Sequence, residues 1–395
     1  MFEEQKLPSL DSDTSQHCEK VSAAIHQQIQ INGGAIRFDD FMRMALYEPG
    51  IGYYVAGTRK FGRDGDFITA PELGPLFGSA VAEQCLEVCR QIEAAEILEF
   101  GGGTGSLAAS VLSAMDAQGA APARYTIVEL SPDLRQRQRE LIKAQIPHLF
   151  DRVRWLNTPP EQPIDGCVLA NEVLDALPVR SFENRAGDIL EHWVTVDDNG
   201  EFEWETRAAD GEILELVNRE AGYELCRELD AYRFEICTAM PLWVADLANV
   251  LHRGLVLIFD YGSGRKERYG STYREGSLRC FLQHRVHGEP LIYPGGQDIT
   301  CTVDFTHAAE AAVAAGLQVA GYVEQVHFLT SCGILHKVAQ FQQGVSEDVV
   351  LELNEQLKTL LLPSKMGTHF KVLALTKGYD SRLLGFSNRD DRRSL

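Results

Sequence analysis

Residues 96–107 read EILEFGGGTGSL. A short apolar strand runs into three consecutive glycines, then Thr104 and Gly105, and then the start of an apolar helical pattern. A strand feeding a glycine-rich turn feeding a helix is how α/β proteins bring their backbone against a nucleoside-bearing ligand. Glycine serves there because a Cβ would block the approach and because such turns call for positive φ.

Outward from this stretch the chain alternates. Strands are expected at 96–100, 125–130, 153–156, 166–170 and 254–260, with helices over about 105–115 and after Ser131-Pro132, an N-cap followed by proline. Near-continuous apolar strands separated by helices imply a parallel sheet covered on both faces. Upstream, 75–92 has helical spacing, and so does 19–31, which Asn32-Gly33-Gly34 stops. Between the last two strands, 190–196 and 201–206 flank Asp198-Asn199-Gly200, a hairpin signal, and helical patterns follow at 221–229 and 241–251. A helix at 304–315 and strands at 317–324 and 370–375 close the pattern. The expected organisation is a tail (1–16), a helical cap with a lid segment (17–93), a core (94–378) with an insertion at about 184–240, and a solvated tail (379–395).

Bulk properties exclude some functions. At 395 residues, 45% of them apolar, a full core is expected. A net charge of −20 argues against nonspecific nucleic-acid binding, which needs a basic face; a cationic substrate is compatible with it. The nine cysteines form no CxxC pair and read as reduced thiols. With no stretch of 18 apolar residues and no apolar or Arg-rich leader, no membrane span is expected, and the expected location is cytoplasmic.

Two cofactor classes use a glycine turn after the first strand. The dinucleotide fingerprint GxGxxG needs a third glycine where Ser106 stands. An acidic residue two places before GxGxG is met by Glu99, Gly101, Gly103 and Gly105, the first motif of S-adenosylmethionine-dependent methyltransferases. Glu129 ends the second strand, where a carboxylate accepts hydrogen bonds from the ribose hydroxyls of either cofactor. A tight turn with no ligand is the plain alternative.

The strand at 166–170 runs into Asn171 and Glu172, with Asp175 three residues on. An amide and carboxylates at a strand's carboxyl end can orient a nucleophilic nitrogen and pair with a guanidinium. Equally, Asn171 could cap a following helix whose first turn holds the two acids. Asp66 and Thr69 lie in a glycine-bearing loop that could close over a cofactor or be an ordinary turn. The long stretch 263–302 carries His284, His287, Asp298 and Thr300; two histidines without a third ligand make a weak metal signal. No Ser/Tyr-x-x-x-Lys set suggests hydride chemistry.

Taken together, several segments resemble the MidA family of methyltransferases, whose mitochondrial members are complex I assembly factors. They are RFDDFMRMALYEPGIGYY, FGRDGDFITAPELGPLFG, EFGGGTGSL, VELSPDLRQRQ, ANEVLDALPV, FDYG, GSLRCFLQHRVHGEPLIYPGGQDITCTVDF and MGTHFKVLALTK, in order across about 36–377. The resemblance implies an α/β fold: a Rossmann-like class I methyltransferase sheet of seven strands with helices on both faces, a helical cap and a β-hairpin/helical insertion. It implies S-adenosylmethionine as cofactor and methylation of an arginine on a partner protein, a respiratory-complex subunit among mitochondrial members. Many members carry proline where Gly102 stands, and several a bulkier residue at Val173 or Leu174. The expected cofactor residues are Gly101, Gly103, Gly105, Glu99 and Glu129, with Asp66 and Thr69 closing over them. Glu172 is expected to grip the substrate, with Asn171, Asp175 and His284 as second choices. A small-molecule methyltransferase and a non-catalytic assembly factor are the alternatives, and no metal is expected.

Overall fold

The structure is a computed structural model, and it describes residues 8, 10–56, 68–222, 231–270 and 273–395. The chain divides into two units, Ile68–Val173 with Pro241–Gly262 and Ala308–Leu395, and Met1–Phe67 with Leu174–Met240 and Ser263–His307.

In the first unit, strands β1 (Glu96–Phe100), β2 (Arg124–Val128), β3 (Val153–Leu156), β4 (Ile164–Asn171), β5 (Leu251–Ser263), β6 (Gln318–Glu324) and β7 (Phe370–Lys377) lie in the order β6-β7-β5-β4-β1-β2-β3. Strands β1 to β5 pair in parallel, whereas β7 runs antiparallel to both β5 and β6. The apolar runs explain the central placement of β1 and β4. Ile97, Leu98, Cys167, Val168 and Leu169 are wholly buried, and each large apolar side chain so buried contributes about 1.5–3 kcal/mol. Helices α1 (Pro75–Cys89), α2 (Ser106–Asp116) and α3 (Pro132–Gln145) belong to this unit. α1 is buried on nearly all sides, and Gly78 backs directly onto the Ser110 side chain, so α1 and α2 pack closely. The strand order reverses between β1 and β4, and such switch points hold ligands beyond the strands' carboxyl ends.

The second unit draws on three chain segments. A helix over Ser12–Ile31, capped by the Asp11 carboxylate on Thr14 N–H at 2.8 Å, precedes a helix over Phe38–Tyr47. One sheet joins Ile36–Arg37, Asp188–Val196, Arg180–Arg185 and Tyr232–Ile236, and Phe202–Ala208 pairs on Asp188–Val196 through the expected Asp-Asn-Gly turn. A small sheet of Arg285–His287, Arg279–Leu282 and Asp298–Thr300 occupies the stretch read as one long loop. Its apolar clusters, around Phe41 and Phe234, are separate from the core around β1 and α1.

The expected domain boundaries change accordingly. The cap divides at 67/68, and both 174–240 and 263–307 leave the core unit, because each contributes strands and buried apolar residues to sheets of its own. The first helix begins at Ser12, inside the expected tail. The helices Gln325–Ser331, Ile334–Phe341 and Glu347–Leu361 between β6 and β7 had no counterpart in the sequence reading. Residues 379–395 are not a solvated tail. Asp391 N–H donates to Tyr322 O at 2.6 Å, Arg392 Nη1 to Val319 O at 2.9 Å, and Leu383 and Phe386 are buried. β6 is an edge strand, and the terminal segment covers its open backbone groups. The helix read at 221–229 falls mostly on 223–230, outside the described residues. No described helix is long and apolar enough to cross a membrane.

Candidate functional site

β1 delivers the chain to the glycine turn between its parallel neighbours. Gly101 N–H donates to Val128 O at 3.1 Å, and Gly105 N–H to Gly102 O at 2.8 Å. Gly101, Gly103 and Gly105 all have left-handed φ, at 67°, 50° and 92°. The reasons for glycine differ along the turn. A Cβ on Gly105 would lie 3.2 Å from Gln138 Cα, and one on Gly102 2.7 Å from Ile127 Cγ2. A Cβ on Gly103 would meet nothing within 4 Å, so this turn leaves open space on that side.

Two carboxylates underlie the turn. Glu99 is buried within β1 and accepts the Tyr125 hydroxyl at 2.8 Å. Burial pushes it up to about 7; the Tyr125 hydrogen bond opposes this and the Glu129 charge adds to it. Glu129, just beyond β2, accepts Ser131 N–H on Oε1 at 2.9 Å and the Gln138 amide on Oε2 at 3.2 Å. Its burial raises it above the usual carboxylate range, while those hydrogen bonds and Arg135 pull the other way. Of the two, Glu129 stands just past the carboxyl end of β2, while Glu99 lies inside β1 and is engaged with Tyr125.

At the end of β4, Asn171 does not cap a helix, because residues 172–179 form none. The chain turns sharply instead, with Glu172 at φ 52°, a left-handed conformation that costs a non-glycine residue about 1 kcal/mol or more. Glu172 N–H donates to Phe259 O at 2.8 Å, which carries the β4–β5 ladder to the site. The Asn171 amide donates to Glu172 Oε1 at 3.0 Å, and Asn171 Oδ1 is buried with no hydrogen-bond partner among the described residues. Val173 Cγ2 lies 3.3 Å from where a Gly101 Cβ would be, so this turn and the glycine turn are neighbours.

The other expected residues have different settings. Thr69 caps a short 3-10 turn, Ala70–Leu73, in a capping box with Glu72, a role that needs no lid. Asp66 lies outside the described residues. Asp175 belongs to the second unit, buried, its carbonyl accepting Cys301 N–H at 2.8 Å. There Tyr54 donates to Asp298 at 2.7 Å, and burial with the charges of Asp298 and Asp175 raises Tyr47 and Tyr54 well above the phenol range. His284 is an exposed tip residue: with Gln283 it forms a two-residue hairpin turn at φ 62° and 47° joining Arg279–Leu282 to Arg285–His287. Among the described residues no cluster of three His, Cys, Asp or Glu is placed to hold a metal.

The sequence reading passed over Gln138 and Trp155, which tie α3 and β3 to the turn. A signal existed: Gln138 sits midway between Leu134 and Ile142, on the buried stripe of an otherwise polar helix.

Comparison with known proteins fits this geometry. Residues 80–323 match the family described as "Putative S-adenosyl-L-methionine-dependent methyltransferase". A crystal structure from Burkholderia thailandensis, described as a "likely methyl transferase" bound to S-adenosyl-homocysteine, superposes with a TM-score of 0.91. It is 37% identical and covers 99% of this chain and 100% of that one. The "Protein arginine methyltransferase NDUFAF7, mitochondrial" of Danio rerio is 27% identical over 87% of this chain and 83% of its own. Its Drosophila melanogaster homolog is 28% identical over 94% and 89%. The residues here suit S-adenosylmethionine: Gly103 leaves the space a Cβ would fill, and Glu129 stands beside it with both oxygens fixed by neutral donors. With more than half its length matched by that family, and 99% of it by a 37%-identical structure holding S-adenosyl-homocysteine, the chain belongs to this family of S-adenosyl-L-methionine-dependent methyltransferases.

Proposed function

We propose that the chain methylates an arginine guanidinium nitrogen on a partner protein. The observation that carries this reading is the strained Glu172 turn, which ties a carboxylate to the Asn171 amide and whose next residue, Val173, packs beside Gly101 of the glycine turn. The protein arginine methyltransferases named among its relatives support it. S-adenosylmethionine, when bound, supplies a methyl group on a positively charged sulfur, open to attack by a nitrogen lone pair. What remains for the chain is recognition and alignment. A carboxylate matches the paired N–H groups of a guanidinium, and holding two of its nitrogens leaves the lone pair to concentrate on the third. The same contact stabilises positive charge as it develops on the acceptor. Asn171 Oδ1 offers a further acceptor for an N–H.

The test is transfer of radiolabelled methyl from the donor into cell lysate, followed by acid hydrolysis of the protein fraction. Label is expected in methylarginine, and Glu172→Gln should cut transfer about 100-fold while leaving S-adenosylhomocysteine affinity unchanged. Label confined to small molecules would overturn the reading in favour of a metabolite acceptor. Cofactor binding with no transfer to any acceptor would favour an assembly factor.

A further inference from the structure

Gln138 is wholly buried on α3, and its amide is fully engaged. Nε2 donates to the Gly103 carbonyl at 2.8 Å and to Glu129 Oε2 at 3.2 Å, while Oε1 accepts the Trp155 indole N–H at 2.9 Å. An indole nitrogen only donates, so the amide has one possible orientation. Trp155 is itself held from above by the Arg139 guanidinium, 4.7 Å from the ring centroid. The glycine turn rests on the same residue, since Cβ atoms on Gly102 and Gly105 would come within 3.1 and 3.2 Å of Gln138. One side chain therefore touches both the turn and the carboxylate.

We propose that Gln138 is a positioning residue for the cofactor, locking the Gly103 peptide and the Glu129 carboxylate in one fixed relation. Gly103 must keep its open side toward the ligand, and a peptide at φ 50° is free to flip unless its carbonyl is held. Glu129 must present its outer lone pairs to the ribose, and Ser131 N–H and Gln138 take one inner position on each oxygen. The amide also favours the ionised carboxylate. Facing Glu129 are the Ser131 and Leu130 N–H groups and Arg135 on α3, which favour its ionisation, and Glu99 on β1, which the Glu129 charge raises. Removing the amide leaves burial with less opposition, so Glu129 then ionises at higher pH.

The experiment is calorimetric titration of the full chain with S-adenosylhomocysteine from pH 5 to 8, with Gln138→Met and Trp155→Phe beside the unaltered protein. Gln138→Met is expected to weaken binding about 30-fold at pH 7.5 and to move the acidic loss of affinity to higher pH. Trp155→Phe keeps the ring but frees the amide to rotate, and should weaken binding about fivefold. A purely packing role would lower the melting temperature and leave both affinity and its pH profile in place; that result overturns the proposal. Should Gln138→Met fail to fold, Trp155→Phe decides alone, and unchanged binding by it overturns the proposal equally.

Discussion

Each unit buries a glutamate in a polar network, and the two are satisfied in different ways. In the second unit Glu235 Oε2 meets the buried Arg268 guanidinium at 2.9 Å and also accepts Ser277 N–H and hydroxyl at 2.9 and 3.0 Å. Arg268 Nε completes the knot on Thr302 O, and burial together with Glu235 holds the Cys301 thiol up at about 12. In the first unit Glu129 is held only by neutral donors, and among the described residues no cation forms an ion pair with it. A carboxylate paired with a buried cation is a structural tie, since a guanidinium takes its acceptor capacity. A carboxylate held by neutral donors, one on each oxygen, keeps further lone pairs for a ligand.

That contrast can be broken from either side. Arg268→Ala leaves Glu235 as an uncompensated buried charge and should cost about 3–5 kcal/mol of stability, read from denaturant unfolding. A loss below about 1 kcal/mol would remove the structural reading of that pair.

Glu99 sharpens the comparison, because its donor is a hydroxyl and no cation among the described residues pairs with it. Its folded value of about 7 lies above the ordinary 4.5, so the fold holds a proton there that the unfolded chain has released. The stability contributed by that proton is complete below 4.5 and is lost as pH rises through 7. Glu99→Gln should therefore stabilise the cofactor-free protein by up to roughly 3 kcal/mol at pH 8 and by nothing at pH 4. Equal effects at both pH values would contradict the placement of Glu99.

Glu129→Gln has the smallest effect on the fold. Its unfolding free energy should shift by less than about 1 kcal/mol, while S-adenosylhomocysteine binding weakens about 30-fold in calorimetry. Unchanged binding would make Glu129 another structural carboxylate, like Glu235.

Much of the first unit was readable because its signals are local. Apolar runs marked β1 to β5 and Ser131-Pro132 marked the start of α3. The carboxylates Glu99 and Glu129 stand out in the sequence by their distance from the strand ends. What failed were readings that depended on what lies opposite. Asn171 looks like a cap only if a helix follows, and the backbone there takes φ 52° instead. The charged terminal segment looks solvated until β6 needs its backbone groups covered. His284, a candidate for chemistry in the sequence, lies at the exposed tip of a hairpin that only its cross-strand partner reveals.

The sequence by itself determined the strand, the glycine turn and the helix of 96–107, because neighbouring residues decide burial period and positive φ. It also determined the kind of ligand, through Glu99, Glu129 and the glycine spacing. Tertiary structure decided which side chain holds that turn in place. Gln138 reaches Gly103 across 35 residues, Glu129 across 9 and Trp155 across 17, and a hydrogen bond between distant positions exists only once packing has brought its donor and acceptor together.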